Sequence, residues 1–216
     1  MAENTLTHAS TSAPADLDAL RTSPAAHLAD AMAAATVTGE RSVALREIAF
    51  AIQLGLRAVP GSASAAALEA ELGLPLPAGH GQVSGDPAAA HVLWLGPDEF
   101  LAVDTSRRQA PGAADAYAAA LAGLPGQAVD LSANRTILEL SGASARQVLE
   151  KGCHADLHPR AFPVNTAIAT QVGPVPVVLH RTGEREYRLY PRASFADYLV
   201  RWLLDAMSEF AGEEVR

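Results

Sequence analysis

The chain repeats itself. Gly61-Ser62-Ala63-Ser64, followed by Leu68-Glu69, returns as Gly142-Ala143-Ser144-Ala145, followed by Leu149-Glu150. A run that reads as a strand precedes each copy. A glycine that reads as a helix end follows each, Gly73 in the first and Gly152 in the second. Residues 128–163 hold most of one unit: a strand, a tight turn, a second strand, a helix opened by glycine, and an exit loop bearing Cys153 and His154. Self-similarity of this kind constrains a fold strongly, because each copy must be built alike and bury its apolar face against a neighbour. The expected organisation is a flexible tail over 1–22, a short helix and linker over 23–42, and one domain over 43–210. That domain divides into halves of about 43–127 and 128–210.

Local patterns fill in each half. Ser23-Pro24 predicts an N-cap and a first-turn proline for a short helix to about Ala35, with a thin stripe of Leu28 and Met32. Such a helix needs a surface to lie on. From Val43 the apolar period becomes two: Ile48, Phe50, Ile52, Leu54 and Leu56 fall on one face of a single long strand, with Gln53 and Arg57 on the other. Pro60-Gly61 ends it. A helix over 62–72, a Pro/Gly loop over 73–90, a hairpin of 92–95 with 100–103, and an Ala-rich helix over 113–123 follow. The second half repeats the order with a strand at 135–140, a helix at 143–151, and strands over 166–172 and 175–190. Pro174 and Pro176 predict an edge or a bulge there, since proline cannot donate a ladder hydrogen bond. Ser194 predicts the cap of a last helix carrying Phe195, Tyr198, Leu199, Trp202, Leu203 and Phe210 near one face. Each half thus reads β-α-β-β-α, and the fold class is α+β.

Composition excludes several functions. A net charge of −8 disfavours nucleic-acid binding through the phosphate backbone. No apolar run reaches membrane-spanning length, because Arg, Asp, Glu, Gln or His interrupts each one. The first 21 residues lack a basic segment followed by an apolar one, so no secretory signal is expected. Cys153 is the only cysteine, which rules out an internal disulfide and suits a reducing, cytoplasmic setting. Lys151 is the only lysine. Arginine therefore holds nearly all basic positions and suits carboxylate pairing at interfaces.

The candidate chemistry is sparse. Cys153, His154, Asp156 and His158 are the one dense set of potential metal ligands, but a zinc site needs three or four ligands converging from more than one short loop. A small packed thiol is the better reading of Cys153. A Cys/His nucleophile pair needs an orientation that adjacency does not supply. Asp130 and Ser132 with a histidine would spell a hydrolase triad, but the nucleophile-elbow pattern is absent. Neither G-x-G-x-x-G nor a P-loop occurs. Trp94, Phe100, Tyr198 and Trp202 read as core residues or interface anchors rather than a pocket. No catalytic, cofactor-binding or metal residue is assigned.

Val129-Asp130-Leu131-Ser132, then Thr136-Ile137-Leu138-Glu139-Leu140-Ser141-Gly142, then Ala145 and Leu149, resembles the folate-binding aminomethyltransferase fold of the glycine cleavage T-protein. Further pieces, in order over 23–204, resemble the gamma-subunit family of heterotetrameric sarcosine oxidases. They are Ser23-Pro24-Ala25-Ala26-His27-Leu28, Leu45-Arg46-Glu47, Leu93-Trp94-Leu95-Gly96-Pro97-Asp98-Glu99-Phe100, Lys151-Gly152-Cys153 with Asp156-Leu157-His158-Pro159-Arg160, and Ser194-Phe195-Ala196-Asp197-Tyr198-Leu199. The resemblance implies a non-catalytic subunit beside alpha, beta and delta subunits. Those would carry FAD, FMN, NAD, zinc and tetrahydrofolate in an enzyme that oxidises sarcosine. Where aminomethyltransferases place an acidic pair, this chain has Gly173-Pro174-Val175-Pro176-Val177-Val178, and Ala133-Asn134-Arg135 follows Ser132. Fold can outlive chemistry in this way. The alternatives are a self-standing folate-dependent enzyme or regulator of that fold, and a small metalloprotein using Cys153, His154 and His158.

Overall fold

Ten strands form two five-stranded sheets in the computed structural model, which describes residues 17–212. In chain order the strands are β1 (Ala44–Glu47), β2 (Ala51–Arg57), β3 (Val83–Gly85), β4 (Ala90–Gly96), β5 (Glu99–Arg108), β6 (Gln127–Asp130), β7 (Leu138–Ser141), β8 (Thr166–Val172), β9 (Val175–Gly183) and β10 (Glu186–Pro191). The helices are α1 (Ala29–Ala34), α2 (Ala63–Leu72), α3 (Asp115–Ala120), α4 (Ala145–Glu150) and α5 (Ala196–Ala211). One sheet runs β3-β4-β5-β2-β6 and the other β8-β9-β10-β7-β1, with every neighbouring pair antiparallel. The orders match strand for strand, as the repeat predicts. The outermost strands are exchanged: β6 precedes the second half's first strand yet closes the first sheet, and β1 precedes β2 yet closes the second.

That exchange corrects the single long strand expected from residue 43 onward. The segment is two strands in two sheets. β1 pairs with β7, Arg46 opposite Glu139; β2 pairs with β5 and β6. Between them Ile48 N–H donates to Ile137 C=O, and Phe50 turns the chain at a left-handed φ of 60°. Hydropathy with period two reports a face, not which sheet the face belongs to, so the break was hidden.

The layers follow from alternation along the strands. On the first sheet Leu54, Leu56, Val92 and Phe100 point to α2 and α3, meeting Leu68 and Leu121. On the second, Leu138, Leu140, Leu179 and Leu189 point to α4 and α5, meeting Leu149, Leu199 and Leu203. The opposite faces meet each other: Leu93, Leu101 and Val103 pack with Ile137, Val178 and Tyr190. The result is helices, sheet, sheet, helices.

Helix ends explain the repeated glycines differently in each half. Ser62 Oγ accepts from Ala65 N–H at 3.2 Å, and Gly73 closes α2 in the left-handed region at φ 66°. Gly152 has another reason. A Cβ there would lie 2.6 Å from the Trp202 ring of α5, so the residue must be small for that indole to seat.

Several local expectations need correction. Ser23 does not cap a helix; its Oγ donates to Glu47 Oε2 at 2.5 Å, and Glu47 Oε1 accepts from Ala25 N–H at 3.2 Å and from Thr136 Oγ1. The following turn (26–28) and α1 bury Leu28 and Met32 in this chain's own core, so the surface that the helix needed is the second half. Ser194 makes no cap bond either, because 193–195 form a 3-10 turn leading into α5. The buried stripe of α5 is Ala196, Leu199, Val200, Leu203, Met207 and Phe210, while Phe195 and Tyr198 stay exposed. Within the expected loop 73–90 lies β3, and the helices expected at 113–123 and 143–151 are shorter. Pro176 sits in β9, an internal strand, one residue beyond the last pair with β10, Val177 with Pro191. There the missing N–H has no ladder partner to fail. Of the tail expected over 1–22, residues 1–16 lie outside the described part; residues 17–20 make one 3-10 turn, and Arg21 donates to the Gln109 carbonyl and side chain at 2.7 Å.

Candidate functional site

The Cys153–His158 loop is built as a turn. Cys153 N–H donates to Leu149 C=O, ending α4, and the residue bridges to Val172 beside the core. Asp156 Oδ1 accepts from His158 N–H at 2.8 Å, and His158 Nδ1 accepts from Arg160 N–H at 3.3 Å. His154 and His158 are exposed while Leu157 anchors the loop inward. Among the described residues no three His, Cys, Asp or Glu side chains converge to hold a metal.

Asp130 and Ser132 do meet, but as a structural pair. Ser132 Oγ donates to Asp130 Oδ1 at 2.6 Å, its N–H reaches the same oxygen at 2.9 Å, and the Oγ accepts from Gln53 N–H at 2.9 Å. Gln109 Nε2 donates to Asp130 Oδ2 at 2.7 Å. Burial opposes the Asp130 charge, yet the Ser132 and Gln109 bonds and the Arg21 charge outweigh it and hold the carboxyl below the usual carboxylate range. Ser132 Oγ thus gives its hydrogen bond to a carboxylate, and among the described residues no histidine is bonded to it. The pair instead closes one side of a cavity of about 380 Å³, lined among others by Arg21, Phe50, Gln53, Gln109, Asp130 and Arg135. Sequence reasoning missed this cavity, because the turn at Phe50 creates it.

A polar row crosses the centre of the molecule. Glu139 is buried on β7 and bridges Arg46 of β1, Nε at 2.7 Å, and Arg188 of β10, Nε at 3.0 Å. Arg188 Nη1 continues to the Pro87 carbonyl of the first half. Next in register stands His180, which faces His91 of the first sheet with ring centroids 5.5 Å apart. His91 Nε2 meets Tyr190 Oη at 3.3 Å, and His180 Nε2 meets Asn165 Oδ1 at 3.3 Å. Burial lowers the His91 pKa to about 4, with Arg188 adding to the fall and the Ala89 carbonyl opposing it. Burial, with His91 and Arg188 adding, lowers that of His180 to about 3. Both are neutral at pH 7 and meet ring to ring between the sheets, His91 from β4 and His180 from β9.

The four aromatic candidates are not gathered. Phe100 is core and pairs across the first hairpin with Trp94; Tyr198 and Trp202 lie on α5. At the hairpin where aminomethyltransferases carry an acidic pair, Val175, Val177 and Val178 are buried and Pro176 is exposed. None can accept a hydrogen bond from a pterin through its side chain, so that hairpin does not fit a folate.

Two helix-covered antiparallel sheets, back to back and related by duplication, define the aminomethyltransferase class of fold. The solved aminomethyltransferase T of the glycine cleavage system from Bartonella henselae superposes with a TM-score of 0.59 over 86% of this chain and 57% of its own, at 18% identity. The chain itself belongs to the sarcosine oxidase gamma subunit family, whose family model matches residues 57–209. It is 56% identical to the sarcosine oxidase subunit gamma of Corynebacterium sp. (strain U-96) over 93% of this chain and 96% of that one. It is 54% identical to the Arthrobacter sp. subunit over the whole of both chains. A chain of the heterotetrameric sarcosine oxidase from Corynebacterium sp. U-96, solved with pyrrole 2-carboxylate, matches with a TM-score of 0.87 at 57% identity, covering 91% of this chain and all of that one.

Proposed function

We propose that this chain is the non-catalytic, structural gamma subunit of a heterotetrameric sarcosine oxidase. It works beside alpha, beta and delta subunits that hold FAD, FMN, NAD, zinc and tetrahydrofolate. The enzyme converts sarcosine, tetrahydrofolate and O₂ to glycine, 5,10-methylenetetrahydrofolate and hydrogen peroxide in the cytoplasm, without nucleic acid or membrane. The observation that carries this reading is end-to-end identity of 54% to a gamma subunit, with no share of either chain left over. The site chemistry supports the non-catalytic part: the Asp130–Ser132 pair is internally bonded, and the side chains of the 175–178 hairpin offer no acceptor for folate. Related halves of about 43–127 and 128–210, a reading that the matched sheet orders favour, would form the domain that docks.

The test is co-expression of the other subunits with and without this chain, tagged for purification. The expected result is a four-subunit complex that takes up oxygen with sarcosine, and loss of assembly when this chain is left out. Normal assembly and turnover without it would overturn the structural role. A flavin band or sarcosine turnover in the pure chain would overturn the non-catalytic one.

A further inference from the structure

Among the described residues two arginines are buried to 6% exposure, and one of them lacks a counter-ion. Arg188 of β10 has Glu139, Nε to Oε2 at 3.0 Å. Arg181 of β9 has main-chain oxygens instead. Its Nε, Nη1 and Nη2 donate to the carbonyls of Gly183, Phe162 and Glu184 at 3.3, 2.8 and 2.9 Å, and among the described residues no carboxylate lies within ion-pair distance. Carbonyl dipoles hold a guanidinium in place without neutralising it, and buried charges are ordinarily paired. The guanidinium carbon stands 5.9 Å from the Tyr187 ring centroid, and Tyr187 and Glu184 both line a surface cleft of about 180 Å³. The charge itself, and not only its stem, therefore lies at the wall of that cleft.

Two further arginines line the same cleft from other elements, Arg146 of α4 and Arg185 of the β9–β10 turn. Arg146 has only a 3.5 Å contact with Glu150, and Arg185 is exposed with no side-chain partner among the described residues. The charges of Arg181 and Arg146 both bear on the Tyr187 phenol, against the burial that raises its pKa, so the two cations gather round one ring. Glu184 is the one acid among the lining residues. The backbone donors of the wall are already used: Gly142 N–H goes to the Arg185 carbonyl and Ala143 N–H to Ser42 Oγ. Recognition is left to the guanidinium groups, which favour oxyanions. We propose that this cleft binds a phosphate-type oxyanion, held by the Arg146 and Arg185 side chains beside the fixed charge of Arg181. Cations from three elements surround it, and a tetrahedral anion can offer an oxygen to each, whereas a carboxylate offers two in one plane. The cleft is smaller than pockets for whole small molecules, roughly 300–1,000 Å³, and suits one anionic group, free or at the end of a larger molecule. The inference goes beyond the subunit reading and stands without it.

The probe is inorganic phosphate, titrated into the full-length chain with whatever partners it retains on purification, at constant ionic strength and neutral pH. Phosphorus NMR reads the bound fraction, and hydrogen–deuterium exchange of peptides covering 140–150 and 181–187 locates it. Saturable binding at one site and slowed exchange in those peptides are expected, with affinity at least about tenfold above that of acetate. Arg185→Gln, an exposed change, should weaken binding about tenfold, and Arg185→Lys should restore part of the loss. Arg181→Gln should weaken it further; if that variant fails to fold, Arg185→Gln decides. Methyl phosphate separates the two sources: binding equal to that of the free ion assigns the site to the end group of a larger molecule, and exclusion assigns it to inorganic phosphate. Acetate binding as well as phosphate, unchanged exchange in both peptides, or an Arg185→Gln titration that matches the unaltered chain overturns the proposal.

Discussion

Gln53 and Glu139 each lie on an inner strand, in register with a residue of the next strand and then with a histidine: Gln53–Val103–His91 in one sheet, Glu139–Arg188–His180 in the other. The matched hairpins, Gly96 opposite Glu99 and Gly183 opposite Glu186, set them two residues apart, so Gln53 answers to Ile137 and Glu139 to Gly55. The side chains differ by one heavy atom and their surroundings differ completely. Glu139 is met on both oxygens by arginines that arrived with it on β1 and β10. Gln53 has one oxygen without a hydrogen-bond partner among the described residues, and an apolar Val103 beside it where Glu139 has Arg188. The halves share a backbone but place their buried polar groups differently: the second closes a network at a position that is Gly55 in the first, and the first sets Gln53 where the second has Ile137. The lesson is that symmetry of backbone licenses asymmetry of use.

Breaking the closed side should cost most. Glu139→Ala leaves buried Arg188 with only the longer 3.9 Å contact to the Glu186 carboxylate, and removal of one partner of a buried pair typically costs about 3–5 kcal/mol. Urea unfolding should show the midpoint fall by that measure; a change below about 1 kcal/mol would mean that the network is not holding the halves. Trp202→Ala comes next. The indole fills the space over Gly152 and Gly173 but remains half-buried, so the loss should be about 3 kcal/mol, the low end for a truncated Trp. Trp94→Ala, on β4 and edge-on to His80, should cost less in the same assay.

Acid tests the seam between the halves. His91 and His180 are depressed from an ordinary 6.5, so the unfolded chain binds more protons as pH falls below that value. Their contribution is complete above pH 6.5 and should be lost progressively as pH drops through about 4 toward 3. Arg188 faces both rings and adds repulsion once either is charged; Asp104 offsets part of it at His91. Replacing both, by His91→Gln and His180→Asn, should flatten the stability profile between pH 6.5 and 4 in thermal melts. An unchanged slope would place the acid response elsewhere. The smallest effects belong to the open side and the loop. Gln53→Met removes an unmet acceptor together with the Nε2 bond to the Arg135 carbonyl; the two effects oppose each other, and the net change in stability should be no more than about 1 kcal/mol. Cys153→Ala should cost on the order of 1 kcal/mol through a small cavity, with assembly unchanged on gel filtration.

Much of this was legible in the sequence. The paired Gly-Ser-Ala and Gly-Ala-Ser runs announced two like halves, the hairpins at 96–99 and 173–174 fell where turn residues stood, and Gly73 ended its helix. The family resemblance lay in local motifs that survive in order. What stayed hidden depends on long-range placement. Nothing in Ile48, Phe50 and Ile52 says that the chain changes sheets between them. Ser23 and Ser194 look like caps because a cap is the commonest local use of serine; Glu47, which claims Ser23, is 24 residues away. Phe195 belongs to the 3-10 entry rather than to α5, and Tyr198, within α5, falls on the exposed side of the buried Leu199–Leu203 stripe. The open acceptor on Gln53 has no sequence signal, since its missing partner is an absence in three dimensions.

The exchanged strands have a consequence for how the molecule is made. β1 leaves the ribosome early but its partner β7 follows some ninety residues later, as the Arg46–Glu139 pair shows. The first sheet in turn lacks its outer strand until β6 emerges. Neither half can seal its own edges during synthesis, so a truncated chain offers raw β-edges to its neighbours and should aggregate. The finished molecule has the opposite property. A single nick in the connection between β5 and β6 would leave two pieces each gripping a strand that the other needs, and they should stay together, and reassemble when mixed, without any covalent link.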